Sequence, residues 1–332
     1  MEALRSRPFT VLNRQMEVHP DRVAWPTAIL SAMGFHVRQV GDGPLATSPG
    51  EVVLVWGNPL WFPRALRSLL DLPAGRRPMT VIWHVEPLPL PRAAGLRRPL
   101  LRPRELAKIA LRDPRVSDVY SNYRSLARLA RLGVPDVLAV TTRERATFLA
   151  ERGLDAVVVP YGYVPEDGRD LALERDLDVL FLGTLGIRRR RDAVRRLRRA
   201  GIRVEAVGSY HDPALWGEER TKLVNRAKIM LSVARFPGTL AGKRFLIGMA
   251  CKALVLSDPL YDPAPYERGV HFVEAPLELL PEVAARYLAD ESERLRVAEQ
   301  GHAFATRELT MERSVGLLLD AVAARLREKA VR

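Results

Sequence analysis

Short runs of apolar, β-branched residues alternate with helix-like segments along almost the whole chain of 332 residues. Each run is bounded by Gly, Pro or polar side chains, which is the pattern of a buried strand. Strands that are apolar throughout and alternate with helices predict parallel sheets covered by helices on both faces. The predicted strands are Phe9–Asn13, His36–Val40, Glu51–Gly57, Met79–Val85, Val137–Thr142, Ala156–Pro160, Asp178–Gly183, Arg203–Gly208, Ala227–Arg235, Ala253–Asp258 and Val270–Pro276.

The alternation breaks between Tyr161 and Leu177, where Gly, Pro and charged residues replace the apolar runs and indicate an interdomain linker. A chain of this length exceeds the size at which single cores usually stop growing. We therefore predict an α/β protein of two doubly wound, Rossmann-like domains that face each other across a cleft. The predicted domains are 1–165 and 166–310, and 311–332 forms a further helix, for which packing back on the first domain is an open option.

Composition narrows the class of protein. No apolar run approaches the roughly 18 residues of a membrane span, and the N-terminus lacks the apolar core of a signal peptide. Cys251 is the single cysteine, so an intrachain disulfide and a Cys-based zinc cluster are excluded. A cytoplasmic protein is expected. The net charge of +13 indicates either phosphate-bearing partners or an arginine-rich genome.

Two strand-to-helix turns of the second domain place cations beside glycines. In "FLGTLGIRRRR", Gly183 ends a strand and four arginines open a helix, with Arg188 as the first candidate for contact with a ligand. The alternative is that these arginines form the solvated face of an amphipathic helix. In "GKRFLIGMAC", Lys243 and Arg244 begin a helix, where a helix dipole, a lysine and an arginine fork together suit a diphosphate. Cys251 is expected to be buried rather than nucleophilic.

The first domain offers a weaker candidate site. His84 and Glu86 lie at the carboxyl end of a predicted strand, where either could act as a general base or polarise a leaving group. The alternative for His84 is a structural role. The basic segment 97–115 either lies on an anionic membrane surface or is an ordinary surface helix.

Several motifs are absent from the sequence. It contains no GxxxxGK[ST] loop, GxSxG elbow or HExxH motif, which argues against a P-loop NTPase and gives a metal-dependent mechanism no visible support. No recognised nucleic-acid-binding module is present either, so no specific nucleic-acid partner is expected.

The stretches "DVLFLGTLGIRRRR", "KRFLIGMACKALVLSD" and "VVVPYGYVPE" together resemble GT-B glycosyltransferases, of group 1 or the CgeB-like branch related to family 4. The resemblance covers residues 137–325 and implies a UDP- or GDP-linked sugar donor held mainly by the second domain, without a metal or other cofactor. It assigns the diphosphate to Arg244 and Lys243, and the transferred sugar to the loop Phe236–Thr239. The donor-site candidates are Gly183, Thr184, Leu185, Arg188, Gly208, Ser209, Pro237, Gly238, Thr239, Lys243 and Arg244.

The chain departs from the family pattern at three positions. Thr239 and Ile247 stand where family 4 usually carries two glutamates, and Lys252 stands where it usually carries glycine. Because Ile247 cannot accept a hydrogen bond from a ribose hydroxyl, donor binding is expected to differ from the family norm.

The expected function is a metal-independent glycosyltransferase of the hexosyltransferase type, acting on a small-molecule, glycan or lipid-linked acceptor. Arg244 would stabilise the leaving diphosphate, and His84 or Glu86 would assist at the acceptor side. A catalytically silent binding or scaffold protein of the same fold is the first alternative, and a basic nucleic-acid-binding protein is the weaker one. Peripheral association with an anionic membrane through 97–115 is also open.

Overall fold

The computed structural model describes residues 2–14, 25–48, 50–92, 103–111, 119–208 and 216–331. The chain divides into two compact units, of which the first comprises 1–160 with 311–332 and the second comprises 161–310. The strands of the first unit are β1 Phe9–Asn13, β2 Val37–Val40, β3 Val52–Trp56, β4 Met79–His84, β5 Val137–Val140 and β6 Val157–Val158. Those of the second unit are β7 Leu177–Leu182, β8 Val204–Val207, β9 Ala227–Ser232, β10 Leu254–Ser257 and β11 Val273–Glu274.

Helices connect most of these strands. In chain order they are α1 Glu2–Arg5, α2 Trp25–Ala32, α3 Pro63–Asp71, α4 Pro103–Ala110, α5 Val119–Arg131, α6 Arg143–Ala150, α7 Arg188–Arg199, α8 Gly217–Asn225, α9 Gly242–Ala250, α10 Leu280–Ala289, α11 Glu291–Ala303 and α12 Met311–Val331. The last of these, α12, packs on α2 and β5 of the first unit. Near its end, Lys329 forms an ion pair with Asp136 at 2.5 Å.

The first sheet has the strand order β2-β1-β3-β4-β5-β6, and its strands pair in parallel. The central strands are buried at all positions except Trp56 at the end of β3, because helices cover both faces, which is why they are apolar at consecutive positions. The strand order reverses between β1 and β3.

The second sheet has the order β11-β10-β9-β7-β8, again with parallel pairing. Successive side chains of β7 point to opposite faces. Val179 and Phe181 pack in a core with α7 and α10, whereas Leu180 and Leu182 pack in another with α8 and α9. Here the order reverses between β7 and β9.

The predicted α/β class with two parallel sheets is confirmed. Several predicted strands are longer than the observed ones at their carboxyl ends. The predicted strand Val137–Thr142, for example, stops at Val140, because α6 begins at Arg143 and the two threonines form the turn into it.

The predicted linker 161–177 is instead fixed to the second unit. Oδ1 of Asn225 accepts a hydrogen bond from the N–H of Leu171 at 2.7 Å, and Nδ2 of Asn225 donates to the carbonyl of Arg169 at 2.8 Å. Gly168 packs against Cys251 so closely that a Cβ there would be 2.7 Å from the sulfur. This stretch therefore belongs to the folded second unit rather than forming a free connection.

No helix among the described residues combines the length and the apolar character needed to cross a membrane. Of the basic segment 97–115, residues 97–102 and 112–115 lie outside the described ranges. In the described part, Leu106 and Leu111 are exposed. Association of this segment with a membrane stays a prediction.

Candidate functional site

The carboxyl ends of β7 and β9 adjoin the point where the strand order of the second sheet reverses. In doubly wound sheets, ligands bind at this position. Gly183 follows the end of β7, Val233 follows the end of β9, and α9 begins shortly afterwards at Gly242.

Two glycines bring the ends of β7 and β8 close together. Gly183 has a φ of +138° and donates its N–H to the carbonyl of Val207 at 2.8 Å. A Cβ at Gly208 would be only 2.7 Å from the carbonyl oxygen of Gly183. Because any larger residue at Gly208 would push these backbones apart, the sequence requires glycine there.

Two guanidinium groups lie beside Gly183. A Cβ at that glycine would be 3.4 Å from Nη2 of Arg244 and 3.5 Å from Nη1 of Arg190. Both arginines donate to the same carbonyl, that of Val233, from Nε of Arg190 at 3.0 Å and from Nη1 of Arg244 at 3.1 Å. Both also lie over the ring of Phe181, at 5.8 and 5.4 Å from its centroid.

Two further arginines complete what we call the arginine cluster, namely Arg189, Arg190, Arg235 and Arg244. Arg189 forms an ion pair at 2.5 Å with Asp258, which is fully buried and also accepts the N–H of Ala234 at 3.2 Å. The positive charge of Arg235 acts on Arg190. Asp258 pairs with Arg189, whereas Arg190 and Arg244 form no ion pair with a described carboxylate, so positive charge remains at these two residues.

The electrostatics of the cluster favour an anion. Burial, followed by the charge of Arg190, lowers the pKa of Arg244 to about 9, and Asp258 opposes this effect. Burial and Arg235 likewise lower the pKa of Arg190. A guanidinium group has five N–H donors, and Val233 is the described acceptor that Arg244 uses. The group therefore retains donors for a phosphate.

The start of α9 adds to this positive field. Arg244 is in the first turn of that helix, and no described side chain caps its N-terminus. Free N–H groups and the helix dipole at such an end favour negative charge. The arrangement can bind an anion and can stabilise negative charge that develops on it.

Arg188, the first candidate among the four arginines, is not part of the arginine cluster. Its side chain is 90% exposed and lies 3.6 Å from Asp192. The helical period contained the signal that identifies Arg189 and Arg190 instead. The positions four residues before the buried Ala193 and Val194 of α7 are Arg189 and Arg190, which therefore lie on the same face of the helix, whereas Arg188 does not.

Lys243 is engaged within the second unit. Its Nζ pairs with Asp167, which is 1% exposed, and lies 3.2 Å from the hydroxyl of Tyr161. Burial lowers the pKa of Lys243 to about 8, and Asp167 opposes this effect. This pairing revises the expected role of Lys243, because the lysine charge is directed to a buried carboxylate and Arg244 alone of the two joins the cluster.

Three other donor-site candidates form tight turns. The hydroxyl of Thr239 donates to the carbonyl of Phe236 at 2.8 Å, and Gly238 has a φ of +77° that favours glycine. The hydroxyl of Thr184 accepts the N–H of Gly186 at 3.1 Å.

The remaining candidates differ in exposure. Leu185 packs partly against the core, and Pro237 is exposed. Ser209 lies outside the described residues.

The departures from the family pattern have clear structural correlates. Ile247 is buried in the apolar core beside α9, so no polar group reaches a ribose from this position. Lys252 has a φ of +52°, a conformation that favours glycine, and its Nζ pairs with Asp170 at 3.0 Å.

In the first unit, His84 is fully buried at the end of β4, and neither ring nitrogen has a described hydrogen-bond partner. Burial, with a smaller contribution from Arg145, lowers its pKa to about 3. This contradicts an acceptor-side role that needs access to a substrate. Glu86 is half-buried two residues later, and its charge acts on Arg145.

Among the described residues, no group of three or more His, Cys, Asp or Glu side chains is placed to hold a metal ion. The arginine cluster concentrates positive charge at the reversal point of the second sheet. That charge suits a phosphate-bearing ligand.

Comparison with known proteins identifies the fold of the chain. Residues 188–320 match the model of the family described as glycosyl transferase-like. AviGT4, a glycosyltransferase involved in avilamycin A biosynthesis, is 16% identical with a TM-score of 0.54, over 97% of this chain and 98% of its own. The fold is GT-B. The predicted resemblance to GT-B glycosyltransferases of group 1 is thereby confirmed, and the family match supports a glycosyltransferase function.

Other GT-B structures align over nearly full length. The structure of Anabaena Alr3699/HepE in complex with UDP and glucose is 12% identical with a TM-score of 0.57, over 96% of this chain and 100% of that one. The DNA-modifying enzyme β-glucosyltransferase is 11% identical with a TM-score of 0.54, over 95% of this chain and 99% of that one. No curated protein matches the chain in sequence.

Proposed function

We propose that this GT-B protein transfers a sugar from a nucleoside diphosphate donor, whose diphosphate binds in the arginine cluster. The observation that carries the proposal is the placement of Arg190 and Arg244 beside Gly183, at the reversal point of the second sheet. The complex of Anabaena HepE with UDP and glucose gives the proposal a precedent in this fold.

The chemistry follows from the charge that grows during transfer. Breaking the bond between the sugar and the diphosphate leaves an additional negative charge on the leaving group. Guanidinium groups fixed in a partly buried site stabilise that charge without reorganisation, because their positions are already set by Val233 and Phe181. Since the arginines supply the counter-charge, the proposed transfer proceeds without a metal ion.

On the acceptor side, we propose Glu86 in place of the buried His84. Glu86 follows the carboxyl end of β4 and is half-buried beside Arg145, whose guanidinium donates to the carbonyl of Val85 at 3.0 Å. A carboxylate in this place can accept a proton from an acceptor hydroxyl. Glu86→Gln is expected to lower kcat by about 100-fold or more without changing donor affinity.

A catalytically silent GT-B protein is the second candidate. The buried position of Ile247 favours it, because the usual acceptor for the ribose hydroxyls is missing there. Such a protein would either bind no nucleotide sugar or bind one without breaking the bond between the sugar and the diphosphate.

The test is release of nucleoside diphosphate from UDP-, GDP-, dTDP-, ADP- and CDP-linked hexoses, with water as the acceptor of the sugar, in buffer with and without EDTA. We expect one base to be preferred, with no effect of EDTA. Arg190→Gln and Arg244→Gln should each abolish release, whereas Arg199→Gln, an exposed change on the same helix as Arg190, should not. Nucleotide binding without release from any donor would favour the silent protein.

A further inference from the structure

The first unit contains an apolar groove that the proposed donor chemistry does not use. It has a volume of about 740 Å³ and lies between the short helix Pro59–Trp61, α3 and α5. Its apolar lining consists of Pro59, Leu60, Pro63, Leu66, Leu70 and Leu129. Small-ligand sites in proteins typically have volumes of roughly 300–1,000 Å³ and are lined mainly by apolar side chains.

Cations surround this apolar lining. Arg67 of α3 and Arg124 and Arg128 of α5 line the groove and are exposed, and the acidic residue among the lining residues is Asp71. Within the part of the chain that the structure describes, these three arginines form no ion pair. Arg124 and Arg128 are one helical turn apart, so their guanidinium groups project from the same face of α5.

Buried polar contacts hold the groove open in one shape. Asn58 donates from Nδ2 to Oδ1 of Asn122 at 2.7 Å, which joins the loop after β3 to α5. Asn122 donates in turn to the carbonyl of Pro87 at 2.8 Å. At Gly57, φ is +116° and a Cβ would be 2.4 Å from the ring of Trp61, so glycine is required to let this loop turn. The groove is thus preformed beside the carboxyl end of β3, next to the reversal point of the first sheet.

We propose that the groove binds a single-chain lipid phosphate, with the chain against the leucines and the phosphate on the arginine rim. The volume accommodates one chain rather than a folded partner, and the three lining arginines, set against one lining carboxylate, complement an anionic head. An apolar chain attached to a phosphate satisfies both features together. This site is independent of the arginine cluster, so its failure and that of the proposed transfer can be told apart.

The experiment measures binding of hexyl, octyl and decyl phosphate to the full chain by calorimetry, below their micelle-forming concentrations. The dissociation constant is expected to fall about fourfold for each added methylene until the groove is filled. Octyl glucoside, which has the same chain and a neutral head, should bind at least about tenfold more weakly, because charge-assisted contacts are lost. Inorganic phosphate alone should show no detectable binding.

Substitutions of residues that line the groove test whether octyl phosphate binds there. Arg124→Gln and Arg128→Gln should each weaken octyl phosphate binding about tenfold, whereas Arg131→Gln on the same helix removes the same charge outside the groove and should not. Ser125→Phe should block the chain by filling the groove. Equal affinity in all variants, or no dependence on chain length, would overturn the proposal. So would binding only to phosphatidylcholine vesicles doped with phosphatidylglycerol, since that result would indicate a surface for membranes instead.

Discussion

Replacing Gly208 with alanine is expected to destabilise the second unit, because the added methyl group meets a backbone atom. A Cβ at this position would be 2.7 Å from the carbonyl oxygen of Gly183, about 0.7 Å inside the ordinary contact distance of 3.4 Å. That oxygen cannot move away by a side-chain rotation, and the N–H of Gly183 is held by Val207 at 2.8 Å. Forcing β7 and β8 apart is an overpacking change, for which we expect a loss of about 2 kcal/mol in the free energy of unfolding.

Unfolding in guanidinium chloride, followed by circular dichroism, measures this loss in the free energy of unfolding. Calorimetry measures the accompanying fall in nucleotide affinity. The fall is expected because Arg190 and Arg244 lie beside Gly183. Gly75→Ala is the control, since a Cβ there meets nothing within 4 Å and its backbone is not left-handed. Wild-type stability and wild-type affinity in Gly208→Ala would refute the close-approach argument.

Two pairs of substitution measurements and one labelling measurement test other parts of the structure: the conformation of Lys252, the burial of Cys251 and the packing around Gly316. Lys252→Gly should be about 1 kcal/mol more stable to denaturant than Lys252→Ala, because both lose the ion pair with Asp170 and only alanine keeps the cost of the left-handed conformation; equal stability would contradict this. Burial raises the pKa of the Cys251 thiol to about 12, so a disulfide reagent at pH 8 should label the folded chain roughly a thousandfold more slowly than the unfolded chain. Rapid labelling of the folded chain would contradict the burial. Gly316→Ala, within α12 and with open space around a new Cβ, should raise the free energy of unfolding by about 1 kcal/mol, and a lower unfolding midpoint would count against it.

Much of the fold is readable from the sequence because the central strands of each sheet are buried on both faces. The observed β1, Phe9–Asn13, coincides with its predicted bounds, and it is apolar at most positions and lies between Pro8 and Arg14. The stretch 161–177 has the sequence pattern of an interdomain linker, whereas the structure places it in the second unit, and the difference has a physical reason. Its partners are distant in sequence, such as Asn225, which is 54 residues from Leu171, and the polar composition of the segment does not reveal them.

The candidate site is only partly readable from the sequence. The glycines and Arg244 were found from their place between strand and helix. Arg190 was missed, although the helical period of α7 marks it. The partner of Lys243 is Asp167, 76 residues earlier, and no local pattern predicts that pairing. His84 has the residue type and strand position of a functional group, but how deeply it is buried depends on the helices that cover the sheet.

The central claim is that the arginine cluster binds the diphosphate of the donor. Calorimetric titration of the protein with UDP, UMP and uridine, or with the corresponding series of whichever base the donor panel selects, tests it directly. We expect the diphosphate to bind at least about tenfold more tightly than the nucleoside, and we expect Arg244→Gln to remove most of this difference. Equal affinity for the diphosphate in the wild type and in Arg244→Gln would contradict the account.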